Sequence, residues 1–308
     1  MSIRINVDPA NPGQFFACCG LLELADRLWD GAEGSFERDD TSFVVSSSGP
    51  SDGFTGLINR AQQAGLVGEL SGQLALEREQ LERKRRQLKK EGKQLPKNEE
   101  QRRKELGKLL REGMIRIGDP FKLRLDWWQE DDEGNPKTWA GSQQVLRIAQ
   151  AALADAARAF DTEQPFDFSC VMRPIPDQTG NEQATASVRQ GKKKTKDKAE
   201  SFYFDSRHGA NALPLDIGFS PNELSMESKA FPAVELLCLI GLQRCRPNLT
   251  ETPLVFEYFT WPIPLPVPTL PAAVSGFFGQ AFGYRFENAY RTDQRKHSSY
   301  LPATLFRR

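Results

Sequence analysis

The chain has 308 residues, 39% of them hydrophobic, with 41 Lys/Arg against 41 Asp/Glu, so it can build a real core as one large domain or two smaller ones. Its longest apolar stretches, such as Phe15 to Leu22 and Val234 to Leu242, are too short to cross a bilayer. Five cysteines without a Cys-x-x-Cys pair argue against a disulfide framework or a cysteine zinc site, and the opening Met-Ser-Ile-Arg-Ile-Asn-Val reads as a strand, not an export signal; a cytoplasmic protein is expected.

Ile3, Ile5 and Val7 alternate with polar residues and predict a strand. Asn11 is placed as an N-cap with Pro12 at the first helical position. The helix they open carries Phe15, Phe16, Cys19, Leu22, Leu24 and Leu28 and ends near Gly31. Phe36 and Phe43 to Val45 predict a hairpin of short strands. Phe54, Leu57, Ile58 and Ala61 predict a helix stopped by Gly65. From Gln73 to Gly113 thinly spaced leucines sit among charges, interrupted at Gly92 and Pro96. This reads as a protruding helical hairpin inserted at 73–113, with arms of ~27 Å.

Phe121, Leu123 and Leu125 alternate into Trp127-Trp128 as a strand. Ser142 is placed as the cap of an Ala-rich helix reaching Phe160, and Phe166, Phe168 and Val171 predict another strand. Residues 175–200 are poor in apolar side chains and read as a flexible Lys-rich loop. Order resumes at Phe202-Tyr203-Phe204, followed by a buried helix over Ala230–Gln243 and an aromatic strand over Leu254–Trp261. Pro262, Pro264, Pro266, Pro268 and Pro271 suggest an extended segment. The sum is a single α+β domain over 1–308, with short strands, helices and the protruding charged hairpin.

The net charge of zero hides segregation. Glu77–Glu112 carries +6, Arg189–Lys198 +5 and Arg285–Arg308 +4, which leaves −15 on the remainder. Basic surfaces of this kind suit a polyanion, although a charged run is also how an ordinary solvated face looks. Arg189, Lys192, Lys193, Lys194 and Lys196 lie in the Lys-rich loop, where they can settle on a phosphate backbone. Arg207 and His208 follow the aromatic run, and Arg207 serves either a phosphate contact or an ion pair with Asp205. Arg291, Arg295 and Lys296, with Tyr290 and Tyr300, pair cations with rings as strand-binding surfaces do, or form a charged tail.

Signs of catalysis are sparse. The sequence holds no HExxH, GxSxG or P-loop, and Gly191-Lys192-Lys193-Lys194-Thr195 lacks the upstream glycine a phosphate loop needs. Cys18 with His208 is the one conceivable nucleophile pair, against which stands a thiol inert in an apolar helix. Asp39-Asp40 and the acids at 130–133 read as solvated turn residues, not an ion cage. No catalytic residue, cofactor or metal site is assigned.

Four stretches together resemble the large-subunit family of type I-G (formerly I-U) CRISPR surveillance complexes. They are Asn11-Pro12-Gly13-Gln14-Phe15-Phe16-Ala17-Cys18-Cys19-Gly20-Leu21-Leu22, Ser201-Phe202-Tyr203-Phe204-Asp205-Ser206-Arg207, Phe231-Pro232-Ala233-Val234-Glu235-Leu236-Leu237 with Gly241 to Arg244, and Tyr258-Phe259-Thr260-Trp261-Pro262. The resemblance implies a non-enzymatic subunit that joins crRNA-bound backbone subunits and probes target double-stranded DNA for a short adjacent motif (the PAM). It also implies a helicase–nuclease recruited in trans. The hairpin and the Lys-rich loop gain nothing from it. Two other readings stand beside it: a CRISPR RNA-processing endoribonuclease with His208 or His297 as general base, and a structural small or backbone subunit that assembles through the hairpin.

Overall fold

A computed structural model describes residues 2–39, 41–49, 52–130, 134–139, 143–159, 164–173, 201–209, 229–279, 282–290 and 298–307. In chain order these form β1 (Ser2–Asn6), α1 (Pro12–Asp26), β2 (Glu33–Phe36), β3 (Ser42–Ser46), α2 (Gly53–Ala64), β4 (Leu66–Gly68), α3 (Gly72–Lys90) and α4 (Lys97–Glu112). Then come β5 (Ile115–Ile117), β6 (Leu123–Leu125), α5 (Val145–Ala156), the one-turn α6 (Ser206–Gly209), α7 (Pro232–Gly241), β7 (Asn248–Leu249) and β8 (Val255–Tyr258). The chain closes with β9 (Leu265–Pro266), α8 (Leu270–Val274), β10 (Phe282–Tyr290), β11 (Ser298–Tyr300) and β12 (Thr304–Arg307). The fold is α+β, and no helix among the described residues is long and apolar enough to cross a membrane.

Three antiparallel sheets surround a helical core. One runs β1-β3-β2-β9, one β11-β10-β8-β7 with β12 also on β10, and one β4-β5-β6. At the centre cross α1 and α7. Fourteen of the fifteen α1 residues and all ten of α7 are buried, as expected of helices apolar on every side. They touch backbone to backbone. A Cβ on Gly20 would lie 1.9 Å from the Leu237 carbonyl oxygen, and one on Gly241 would lie 2.0 Å from that of Phe16. Phe15, Phe36 and Phe43 each meet Trp261 edge to face beside this crossing, and Phe16 meets Tyr258 the same way. The Trp261 indole donates to the Gly34 carbonyl at 2.8 Å, tying β8's exit to β2.

Several expected elements take another form. Trp127-Trp128 leaves the strand in a 3-10 turn, because the side-chain oxygen of Gln243 accepts from the Asp126 and Trp127 amides that a ladder would use. Residues 166–171 form a turn and a single bridge, Cys170 to Ala230, and no strand. The Phe166 carbonyl is taken by the Arg207 guanidinium. The Ala-rich helix starts at Val145 and ends at Ala156, and the expected cap Ser142 lies outside the described residues. The proline segment is extended where Leu265 pairs with Gly34, but Val267–Thr269 form a 3-10 turn and Pro271 sits in the first turn of α8.

Candidate nucleic-acid interface

Of the cations singled out from sequence, Arg189, Lys192, Lys193, Lys194 and Lys196 lie outside the described residues, as do Arg291, Arg295 and Lys296. Arg207 and His208 are placed, and both belong to one buried polar cluster.

Its first member is Asn11, which caps two helices at once. Its side-chain oxygen accepts from the Gln14 amide at 3.4 Å, closing α1, and from the Ser206 amide at 3.1 Å, opening α6. The Asn11 amide group donates to Asp205 at 2.8 Å. Asp205 is fully buried and also holds Arg207, accepting from Nε at 3.0 Å and Nη2 at 2.7 Å. Arg207 also donates to Asp167 at 2.7 Å and the Phe166 carbonyl at 2.6 Å, and its guanidinium lies 3.6 Å over the Phe231 ring. Of the two roles the sequence allowed for Arg207, the geometry displays the ion pair with Asp205. This fork-shaped pairing suits arginine and not lysine.

Tyr203 turns the chain with a φ of 63°, so that the amides of Phe204 and Asp205 point at Glu235 in the first turn of α7, at 3.4 and 3.3 Å. Gly13 leaves room for this turn, since a Cβ there would lie 2.5 Å from the Phe204 carbonyl oxygen. Burial, and then the Asp205 charge, push the Glu235 carboxyl up to about 8 against the pull of the backbone amides. It therefore holds a proton at neutral pH. Sequence reasoning passed over Glu235. The signal was an acid inside an otherwise apolar helix.

His208 is 3% exposed. Its Nδ1 lies 2.9 Å from the Ser201 hydroxyl and its ring stacks on Tyr203 at 4.2 Å. A general base needs to reach its substrate, and this imidazole is packed beneath the surface. Cys18 is fully buried and its thiol is pushed up by burial, away from nucleophilic character. Among the described residues no three His, Cys, Asp or Glu side chains gather where they could hold a metal ion.

Two outer features present chemistry to solvent. The first is the hairpin. No residue of α3 is buried, and α4 buries Leu106. Its helices are joined mainly by ion pairs across the seam: Arg102 with Glu77, Arg103 with Glu82, and Lys84 with Glu99. The second is the turn after α8. The Phe277 amide donates to the Ala272 carbonyl and the Gly276 amide to that of Ala273, with Gly276 at φ 76°, a Schellman-type helix end. The residue that normally folds back onto the helix there is Phe277, yet it is 81% exposed, and Phe278 beside it is 48% exposed. In the sequence this pair of phenylalanines stands between two glycines, Gly276 and Gly279.

Comparison with protein-family models, curated proteins and solved structures finds no match to this chain.

Proposed function

We propose that this chain is a non-catalytic DNA-recognition subunit of a type I CRISPR effector complex. It contacts the duplex beside the target and the opened R-loop, and docks a helicase–nuclease that acts in trans. Its partners are crRNA-bound backbone subunits and target double-stranded DNA. The observation that carries the reading is where the four resembling stretches meet. Asn11 bonds Asp205 and the Ser206 amide, Glu235 receives the Phe204 and Asp205 amides, Gly20 meets α7, and the Tyr258 ring packs on those of Phe15 and Phe16 at 4.2 and 5.5 Å. Four segments far apart in the chain thus make one interlocked unit. Such a unit is compatible with the four stretches belonging to one common core. The polar groups of that unit are spent on one another, so interaction chemistry falls to the periphery.

The test is a gel shift with the guide-loaded assembly, prepared with and without this chain, on duplexes whose motif beside the target is varied. Motif-dependent binding is expected to vanish without the chain and to weaken in the triple variant Lys192→Ala, Lys193→Ala, Lys194→Ala. Unchanged affinity and motif preference in the absence of the chain would overturn the reading.

A further inference from the structure

The α3–α4 hairpin uses up its acids internally. Glu77, Glu79, Glu82, Glu91, Glu99, Glu100 and Glu105 each sit in an ion pair with an Arg or Lys of the same hairpin. Among the described side chains of the hairpin, Arg78, Arg86, Lys89, Lys90, Lys97 and Lys104 have no carboxylate within salt-bridge distance; Arg78 and Lys104 sit along the arms, and the other four cluster. All four are exposed, and all four lie at the far end of the arm. The hairpin joins the body at β4 and β5, so the turn between α3 and α4 is its distal point. With nineteen residues in α3, that point stands ~28 Å from the hairpin's root. Over residues 86–97 there are five cations and one acid, Glu91, which pairs with Lys93 at 3.1 Å.

Helix stability does not account for this arrangement. Lys89 and Lys90 sit in the last turn of α3 and suit its dipole, but Lys97 is the first residue of α4, where a cation opposes the dipole. Glu99 and Glu100 already serve that end. Nor does the seam need them. The pairs that cross it are made by Lys84, Arg102 and Arg103. Four unneutralised cations on one small tip repel each other, and a dense line of negative charge would relieve that repulsion. Arg86 and Lys90, four residues apart, are ~6 Å apart along the helix, close to two ~3.4 Å steps of a nucleic-acid strand.

We propose that this tip is a contact for the phosphodiester backbone of nucleic acid, with Arg86, Lys89, Lys90 and Lys97 each taking a phosphate and none reading a base. The assignment goes beyond the resemblance, which does not extend to the hairpin. It rests on the DNA-recognition reading only for the identity of the polyanion.

The experiment measures binding of the full chain to a fluorescent duplex of arbitrary sequence across about 50–200 mM salt. It compares wild type with the variant Arg86→Gln, Lys89→Gln, Lys90→Gln, Lys97→Gln, whose helicity is checked by circular dichroism. Each phosphate contact contributes ~0.9 to the slope of log affinity against log salt, so the variant is expected to lose about 2–4 from that slope and at least tenfold in affinity. An unchanged slope, failure of the wild type to bind the duplex, or equal binding to polyglutamate-blocked and free protein overturns the inference. In the guide-loaded assembly the same variant should weaken all motif sequences equally. If motif preference depends on the chain but the variant behaves as wild type, this inference falls and the functional reading stands. If the tip binds duplex but the chain does not affect motif preference, the reverse holds.

Discussion

Glu235 sets up a pH dependence that can be read directly. Its carboxyl is fully buried, faces the Asp205 charge, and is pushed up to about 8, whereas in the unfolded chain it returns to ~4.3. Between those values the native protein holds a proton that the unfolded chain has released. Stability therefore falls as pH rises through this window, by about 1.4 kcal/mol per pH unit, and levels off above the folded value. The loss attributable to this one group by about pH 7 is roughly 3–4 kcal/mol. Asp205 beside it is held in place by Arg207 and Asn11. Glu235→Gln keeps the shape and an acceptor oxygen for one of the Phe204 and Asp205 amides while abolishing the titration. Urea unfolding of both proteins should show the wild type losing about 2–3 kcal/mol relative to the variant between about pH 5 and pH 7. Stability curves that stay parallel over that range would refute a buried, proton-holding Glu235.

Gly20→Ala places a methyl group 1.9 Å from the Leu237 carbonyl oxygen; forcing α1 and α7 apart should cost about 2–4 kcal/mol in urea unfolding, and a loss under ~1 kcal/mol would mean the crossing is looser than described. Arg207→Ala leaves Asp205 buried without its cation and should cost about 3–5 kcal/mol, with Arg207→Lys recovering only part because lysine lacks the fork; full recovery by lysine would show that charge alone matters. Replacing residues 73–111 with a short Gly-Ser linker should leave the body's melting temperature within a few degrees, because Leu106 is the buried side chain that the arm contributes; collapse of the transition would make the arm part of the core.

How much was legible in the sequence follows from which forces are local. The cap at Asn11, Pro12 at the start of α1 and the break of the hairpin at Gly92 and Pro96 are encoded within a few residues, and they appear where the sequence places them. Elements decided by distant partners were not legible. The turn at Trp127 depends on Gln243, more than a hundred residues away, and the missing strand at 166–171 depends on Arg207. β10 is different, since Phe282, Tyr284 and Phe286 alternate plainly with polar residues. Weighing this stretch by its charge hid a period of two. At the site, the Asp205–Arg207 pair was legible from their adjacency. The convergence of Asn11 and Glu235 on them was not, because it joins positions up to 195 residues apart.

The body and the arm handle charge in opposite ways, and this separates stability from recognition. Within the body, charged groups are matched where they are buried. Burial works against the Glu23 carboxylate, but Arg244 and Arg27 outweigh it and hold the group below the ordinary carboxylate range. Asp205 keeps Arg207, and Asp155 pairs with Arg158. Such pairs lock segments in place, and removing one member is costly. In the arm the pairs are exposed or half-buried, and an exposed pair is worth ~0–1 kcal/mol, so the hairpin adds little to the fold and its unpaired outer cations add nothing. Those cations are consequently unconstrained by packing, and their identity can be set by what they meet outside. In a fold built this way the charge and length of the arm can change without disturbing the interlocked core.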